Sequence, residues 1–183
     1  MILTWVIIAV LVLVVLAFIM YFNRFITLEN GVDNALSQID VQLKKRADLV
    51  PNLLATVKGY TKHEKEMIKE VTDARKAFLS AKTLPAKSKA GAELQTALKS
   101  IFALAEAYPQ LKANENFLQL QQELSAIEDK VAYSRQYYND SILSYNNTVE
   151  TFPGMLFARL YGKSEKEMLQ ITAEEKAVPK VSF

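Results

Sequence analysis

Side chains that could bind a metal or transfer protons are few in this sequence. His63 is its single histidine, and Glu64 follows directly. A helical zinc site of the H-E-x-x-H type needs a second histidine at the position that Met67 occupies. The chain has no cysteine, which removes thiolate nucleophiles and disulfides. We therefore predict no metal and no cofactor, and we interpret His63 as a polar residue on a helix rim or, alternatively, as a proton-sensitive contact to a partner.

The carboxylates near His63 leave an enzymatic hypothesis open. A membrane-bound hydrolase could use Asp40, Asp48 and Glu64 together with His63 if two of the carboxylates met in one pocket. No serine lies in a nucleophile-elbow pattern, and the five glycines are too far apart to cradle a phosphate or a dinucleotide. We predict that the protein is not an enzyme and has no small-molecule substrate, with the hydrolase as the alternative.

Two polar clusters carry the remaining candidate residues. One surrounds Asp40, and the other contains Tyr138 and Tyr145, whose spacing of seven places them on one face of a helix. Buried tyrosines and asparagines need hydrogen-bond partners, which Arg135 and the polar residues around Gln38 and Asp40 could supply across a helical bundle, fixing its register. The alternative is a polar groove for a partner. The candidate interaction or register-fixing residues are Gln38, Asp40, Arg46, Asp48, Asn52, His63, Arg135, Tyr138, Asn139, Tyr145 and Asn146.

The element that precedes these residues is an apolar run. Residues 1–23 carry no charged side chain, and 2–22 are interrupted only by Thr4. At 1.5 Å per residue the run covers about 30 Å, which is the thickness of the hydrocarbon core of a bilayer. A cleaved signal would be shorter, with a basic start and small residues before the cleavage site. We predict an uncleaved transmembrane helix, and therefore the lipid bilayer as one partner.

Charge decides the expected orientation and excludes one class of partner. The net charge is +2 without a basic stripe, so we predict no binding to nucleic acid. No basic side chain precedes the span, Arg24 follows it directly, and Lys44, Lys45 and Arg46 come later. We predict a location in the cell (inner) membrane, where the positive-inside rule places the N-terminus outside and the large domain in the cytoplasm.

Apolar residues beyond the span recur every three or four positions, which is the period of amphipathic helices. We predict a first helix that continues from the membrane to residue 50 and is broken by Pro51, and a second over 51–78. A loop follows at 80–91, because this stretch contains proline, glycine and lysines with little apolar content. A third helix is expected at 93–108 and a fourth at 117–151.

The C-terminal part contains proline and glycine residues that interrupt or end helices. Phe152-Pro153-Gly154 reads as a turn, a short helix follows at 155–161, and Gly162 closes it. No strand alternation of useful length occurs. The predicted fold is therefore all-α: an N-terminal transmembrane helix that continues into an antiparallel bundle of about four long helices. The predicted domains are an anchor (1–23), a helical bundle (24–163) and a polar tail (164–183), and the sequence leaves open whether the tail docks.

The sequence also resembles a known family. The string Q-I-D-V-Q-L-K-K-R-A-D-L-V-P-N-L at 38–53 is similar to the LemA family of bacterial membrane proteins. Shorter matching blocks follow in order at 57–60, 63–64, 74–75, 138–139, 145–146, 152–153, 160–162 and 179–183. The resemblance implies a single-pass anchor, a short external N-terminus and an intracellular helical bundle. It implies no catalytic residue, and it suggests association with a membrane protease or a TPM-domain protein.

These observations favour a function in binding. We predict a non-enzymatic, single-pass scaffold or adaptor of the bacterial cell envelope that binds other membrane or envelope proteins and forms a homo-oligomer. Besides the hydrolase, a second alternative is a sensor of the membrane surface. It would touch anionic lipid through Phe22, Arg24 and the lysines Lys82, Lys87 and Lys89.

Overall fold

Helices form all the regular secondary structure in the residues that the computed structural model describes, which are 1–61 and 64–169. Four of them have 16 residues or more, and two are short. They are α1 (Ile2–Lys58), α2 (Lys65–Ser80), α3 (Leu84–Ala107), α4 (Pro109–Lys112), α5 (Glu115–Glu150) and α6 (Gly154–Leu160). The prediction of an all-α chain that begins with an apolar helix is confirmed.

The chain divides into two compact units. The first combines residues 1–37 with the described residues from 134 onwards, and the second comprises residues 38–133. Phe25, Ile142 and Tyr145 are buried at the centre of the first unit. In the second, each of the helices contributes buried side chains, among them Ile39, Val50, Val71, Leu94, Ile101, Leu111, Phe117 and Leu124. The predicted domain boundaries near 23 and 163 stay predictions.

The N-terminal part of α1 is long and apolar enough to cross a membrane. Its large side chains are exposed within the chain, with Leu3 at 72% and Leu13 at 65%. A helix that is apolar on every face is suited to hydrocarbon, where its backbone hydrogen bonds are satisfied internally. These features agree with a single-pass membrane protein.

The predicted break at Pro51 is wrong, because α1 continues through this residue to Lys58. Proline has no N–H, so within a helix the carbonyl oxygen four residues earlier loses its usual partner. That oxygen belongs to Ala47, and the Nε of Arg75 on α2 donates to it over 2.7 Å. The Arg75 side chain thus replaces the missing backbone donor. Val50, Leu53 and Val57 remain on one buried stripe.

The start of the predicted second helix, at residue 51, is also wrong. This helix begins in the structure only at Lys65, because α1 ends at Lys58. The backbone N–H groups of Tyr60 and Thr61 both donate to the Val57 carbonyl oxygen, each over 3.0 Å, and close the last turn. The apolar period continues across Gly59, so the sequence could not show that one helix ends before this glycine and another begins after it.

The loop predicted at 80–91 is also wrong, since α3 already begins at Leu84. The Thr83 side chain accepts a hydrogen bond from the Ala86 N–H over 3.4 Å, and Pro85 occupies the first turn, where its missing N–H is harmless. Gly91 is buried inside α3, where a Cβ would lie 3.4 Å from a methyl group of Leu43. The glycine therefore marks a close helix contact.

The C-terminal elements follow the prediction. Helix α5 ends at Glu150, a turn precedes α6, and Gly162 has a φ of 64°, the left-handed conformation typical of a residue that ends a helix. Residues 163–169 are described and contain no helix. The rest of the predicted tail lies outside the described residues.

Candidate functional site

Two asparagines of α5 hold the chain segment that follows α6. Asn146 accepts from the Lys166 N–H and donates to the Lys166 carbonyl oxygen, both over 2.9 Å. Asn139 accepts from the Leu169 N–H over 2.9 Å and donates to its carbonyl oxygen over 3.1 Å. Each amide thus pairs with both polar groups of one residue's main chain. We call this arrangement the amide clasp, and we call residues 163–169 the bound segment.

The two asparagines can bind the segment together because the distance between them along α5 matches the distance between the two residues that they bind. Seven residues of helix rise about 10.5 Å, and three residues of extended or polyproline II chain cover about 9–10 Å. Asn139 and Asn146 are seven apart, and the residues that they bind are three apart. Lys163, Lys166 and Leu169 are half-buried and those between them are exposed. The bound segment therefore runs antiparallel to α5 and turns one side chain in three toward the unit.

Side chains add specific contacts to these main-chain bonds. The Nζ of Lys163 lies 2.8 and 2.7 Å from the two carboxylate oxygens of Glu29 on α1. Both side chains are about three-quarters shielded from water, at 22% and 24% exposure, so screening weakens this pair less than a surface pair. The Nζ of Lys166 lies 5.2 Å from the ring centre of Tyr145, within the range of a cation–π contact.

Tyr145 connects the two basic contacts. Its ring is buried, and its hydroxyl donates a long 3.5 Å hydrogen bond to Glu29. Burial raises the pKa of Tyr145, and the charge of Glu29 raises it further. The phenol therefore stays neutral at physiological pH and acts as a donor. Tyr138, one heptad earlier, is also buried, which raises its pKa together with the nearby charge of Asp33.

The predicted residues of the second unit take part in contacts of their own. Asp40 forms an ion pair of 2.5 Å with Lys87 on α3. Arg46 is 3% exposed, and its guanidinium donates to Gln95 over 3.3 Å, while Gln95 donates in turn to Glu128. These polar contacts connect α1, α3 and α5 within the second unit.

Asn139 and Asn146 have hydrogen-bond partners other than the predicted ones, which were Arg135 and the polar residues around Gln38 and Asp40. The clasp asparagines bind main chain from the bound segment instead. Arg135 is half-buried on α5. Gln38, Asp48 and Asn52 are exposed on α1, and His63 lies outside the described residues.

The described residues of the hydrolase hypothesis have different surroundings. Asp40 and Asp48 are eight residues apart on α1, a rise of about 12 Å, and Asp48 is exposed. Glu64 accepts a hydrogen bond from the Tyr108 hydroxyl over 3.2 Å, which raises the pKa of Tyr108. Among residues 1–61 and 64–169, no three His, Cys, Asp or Glu side chains are grouped to hold a metal ion.

Sequence reasoning missed Glu29, Lys163 and Lys166 as members of the site. The available signal was weak: Glu29 lies one turn after Phe25 beside the buried stripe, and the two lysines are three residues apart in a polar stretch. Nothing in the sequence marks which main-chain groups an asparagine will bind, because every residue carries them.

In the part of the chain that the structure describes, all elements are helices, the N-terminal one is long and apolar enough to cross a membrane, and α5 carries a clasp that binds main chain. The model of the LemA family matches residues 35–183. The chain belongs to the LemA family.

Curated relatives agree with this assignment. The chain is 29% identical over 134 residues to Protein LemA of Metamycoplasma hominis, covering 71% of this chain and 60% of that protein. It is 24% identical over 184 residues to Magnetosome protein MamQ of Magnetospirillum gryphiswaldense, covering 84% and 68%. A further relative is Magnetosome protein MamQ 2 of Paramagnetospirillum magneticum, 24% identical over 189 residues, covering 87% and 70%. The chain thus spans three-fifths to seven-tenths of these relatives' lengths.

Proposed function

We propose that this protein is a membrane-anchored, non-enzymatic adaptor of the bacterial cell envelope whose helical domain binds segments of other membrane or envelope proteins. The observation that carries the proposal is the amide clasp. Asn139 and Asn146 bind groups that every polypeptide has, so the site suits a protein segment better than a small metabolite.

The proposed ligand of the clasp is an extended segment with basic side chains three residues apart. Its main chain would take the hydrogen bonds that Lys166 and Leu169 now make. Its basic side chains would take the positions of Lys163 beside Glu29 and of Lys166 over Tyr145. The bound segment of the chain itself then acts as the resident ligand that a partner displaces.

Location and assembly belong to the same proposal. The apolar part of α1 and the similarity to LemA and MamQ support attachment to a membrane. The proposed location is the cell (inner) membrane, and Arg24 favours an orientation with the N-terminus outside and the helical domain in the cytoplasm. Candidate partners are a membrane protease, a TPM-domain protein and further copies of the chain.

Site-specific crosslinking in intact cells tests the proposal. Leu143 is 47% exposed on α5, four residues after Asn139 and three before Asn146, so it shares their helix face. A photoreactive amino acid at this position should form adducts with membrane proteins. The same amino acid at Leu118, which is 40% exposed elsewhere on α5, provides the matched control.

The clasp variants decide whether such adducts reflect the proposed site. Adducts at position 143 should disappear in Asn139→Ala/Asn146→Ala. They should increase in Lys166→Pro/Leu169→Pro, because proline fits a polyproline II segment but lacks the N–H that the asparagines bind. Equal adducts in all three chains, or none at position 143, would contradict the proposal.

A further inference from the structure

Helix α6 leaves an apolar ridge uncovered. Phe152 is 77% exposed, Leu156 48% and Leu160 66%. Leu156 and Leu160 are four residues apart, which places them on one side of α6, and Phe152 lies in the turn directly before this helix. Single exposed apolar side chains are ordinary, but three large ones within residues 152–160 favour a surface that contacts another apolar phase. We call these three residues the α6 ridge.

Other side chains of α6 and the turn after it pack on α1. The ring of Phe157 stacks on Tyr21 with 4.6 Å between centroids and meets the edge of Phe18 at 5.1 Å. Tyr161 contacts the rings of Phe18, Phe22 and Phe25, and its hydroxyl donates to the Phe18 carbonyl oxygen over 2.8 Å. These contacts fix α6 beside residues 18–25.

That position is the C-terminal end of the apolar run. The run at 2–22 covers about 31 Å, close to the hydrocarbon thickness of about 30 Å, so residues 18–22 reach the boundary between acyl chains and headgroups. Lipid around α1 at this level would also meet the exposed surface of α6, because α6 packs on residues 18–25. The exposed basic side chains of Arg24 and Arg159 are suited to the headgroup level.

We infer that the α6 ridge lies in the lipid interface, so that α6 is an interfacial helix and provides a second attachment of the protein to the bilayer. The partner is the bilayer itself, because the ridge continues an apolar surface already suited to lipid. This inference does not depend on the amide clasp or on which side of the membrane carries the helical domain.

Tryptophan fluorescence of the full chain in lipid nanodiscs tests the inference. The only tryptophan is Trp5, so Trp5→Phe provides a background into which Phe152→Trp or Leu160→Trp is introduced. Leu118→Trp in the same background is the control for an exposed leucine away from the ridge. Circular dichroism verifies that each variant keeps its helix content.

The ridge tryptophans should emit at shorter wavelength than the control and lose most of their emission when brominated lipid is used. Iodide in the water should quench only the control. Quenching of the ridge tryptophans by iodide and not by brominated lipid would overturn the inference. Quenching by neither agent would also overturn it, because protein would then cover the ridge.

Discussion

At the scale of single residues, replacing a clasp asparagine removes two hydrogen bonds at once. A neutral hydrogen bond contributes about 1 kcal/mol, so each Asn→Ala change should ease opening of the bound segment by about 2 kcal/mol, or about 30-fold. Hydrogen exchange should therefore accelerate by this factor at the Lys166 amide in Asn146→Ala and at the Leu169 amide in Asn139→Ala. Asn147→Ala, at an exposed neighbour, is the control. Unchanged exchange in the clasp variants would show that the asparagines do not hold the segment.

Tyr145 gives the site a dependence on alkaline pH. Burial, followed by the charge of Glu29, raises the pKa of this phenol in the folded state. Its contribution to stability is fully present below about pH 10, where unfolded tyrosine ionises, and is lost as the pH rises through the folded pKa.

Tyr145→Phe cannot ionise, so it should lose less stability than the unmodified chain between about pH 8 and about pH 11. Thermal unfolding followed by circular dichroism measures this loss. The exposed Tyr133→Phe serves as the matched control and should behave like the unmodified chain. The expectation fails if Tyr145→Phe and the unmodified chain lose the same stability.

At the scale of the elements, continuity of α1 through Pro51 depends on a side chain of α2. Arg75→Met would leave the buried Ala47 carbonyl oxygen without its donor and should lower the free energy of unfolding by about 1–3 kcal/mol. Pro51→Ala restores a backbone N–H for that oxygen. In the Pro51→Ala background the Arg75→Met change should therefore have a smaller effect.

Urea unfolding of the four chains in this double-mutant cycle measures the coupling. Additive effects of the two substitutions would mean that Arg75 stabilises the second unit in some other way.

Replacing two glycines of the first unit by alanine should change the stability of the chain in opposite directions. Gly31 lies inside α1 with open space where an alanine methyl group would lie, so Gly31→Ala should stabilise the chain by up to about 1 kcal/mol. At Gly154 a Cβ would lie 2.1 Å from the Thr148 carbonyl oxygen, which forces α6 to shift and should destabilise the chain by about 1–3 kcal/mol. Melting temperatures measure both effects, and a change of the same sign in both variants would refute this account.

The sequence predicted correctly those helices whose ends are determined by residues close to them in the chain. Helix α5 follows from its apolar period, and α6 from the turn before it and the glycine after it. Pro51 and the stretch 80–91 misled the prediction, because their outcome depends on Arg75 and on the close approach of Leu43 to Gly91. Asn139 and Asn146 were identifiable as candidates, yet their ligand is main chain and has no signature in the sequence.

At the scale of the whole molecule, the proposed orientation depends on few charges. Arg24 is the only basic side chain close to the span, so the bias that would retain the domain in the cytoplasm is small. A C-terminal tag should resist protease added to spheroplasts and become accessible after lysis.

Moving the positive charge to the other end of the span should make the C-terminal tag accessible to protease in intact spheroplasts. Two lysines inserted after Met1 together with Arg24→Gln should expose the tag outside for a large fraction of the molecules. A tag that is accessible in the unmodified chain would place the helical domain, and therefore its partners, on the other side of the membrane.

Peptide binding tests whether the amide clasp binds protein segments. The labelled peptide G-K-S-E-K-E-M-L, residues 162–169, is titrated into the full chain carrying Lys166→Pro/Leu169→Pro in nanodiscs and followed by fluorescence anisotropy. We predict saturable binding that Asn139→Ala/Asn146→Ala abolishes in the same background. Absence of binding, or binding that the alanine substitutions leave unchanged, would contradict the proposed function.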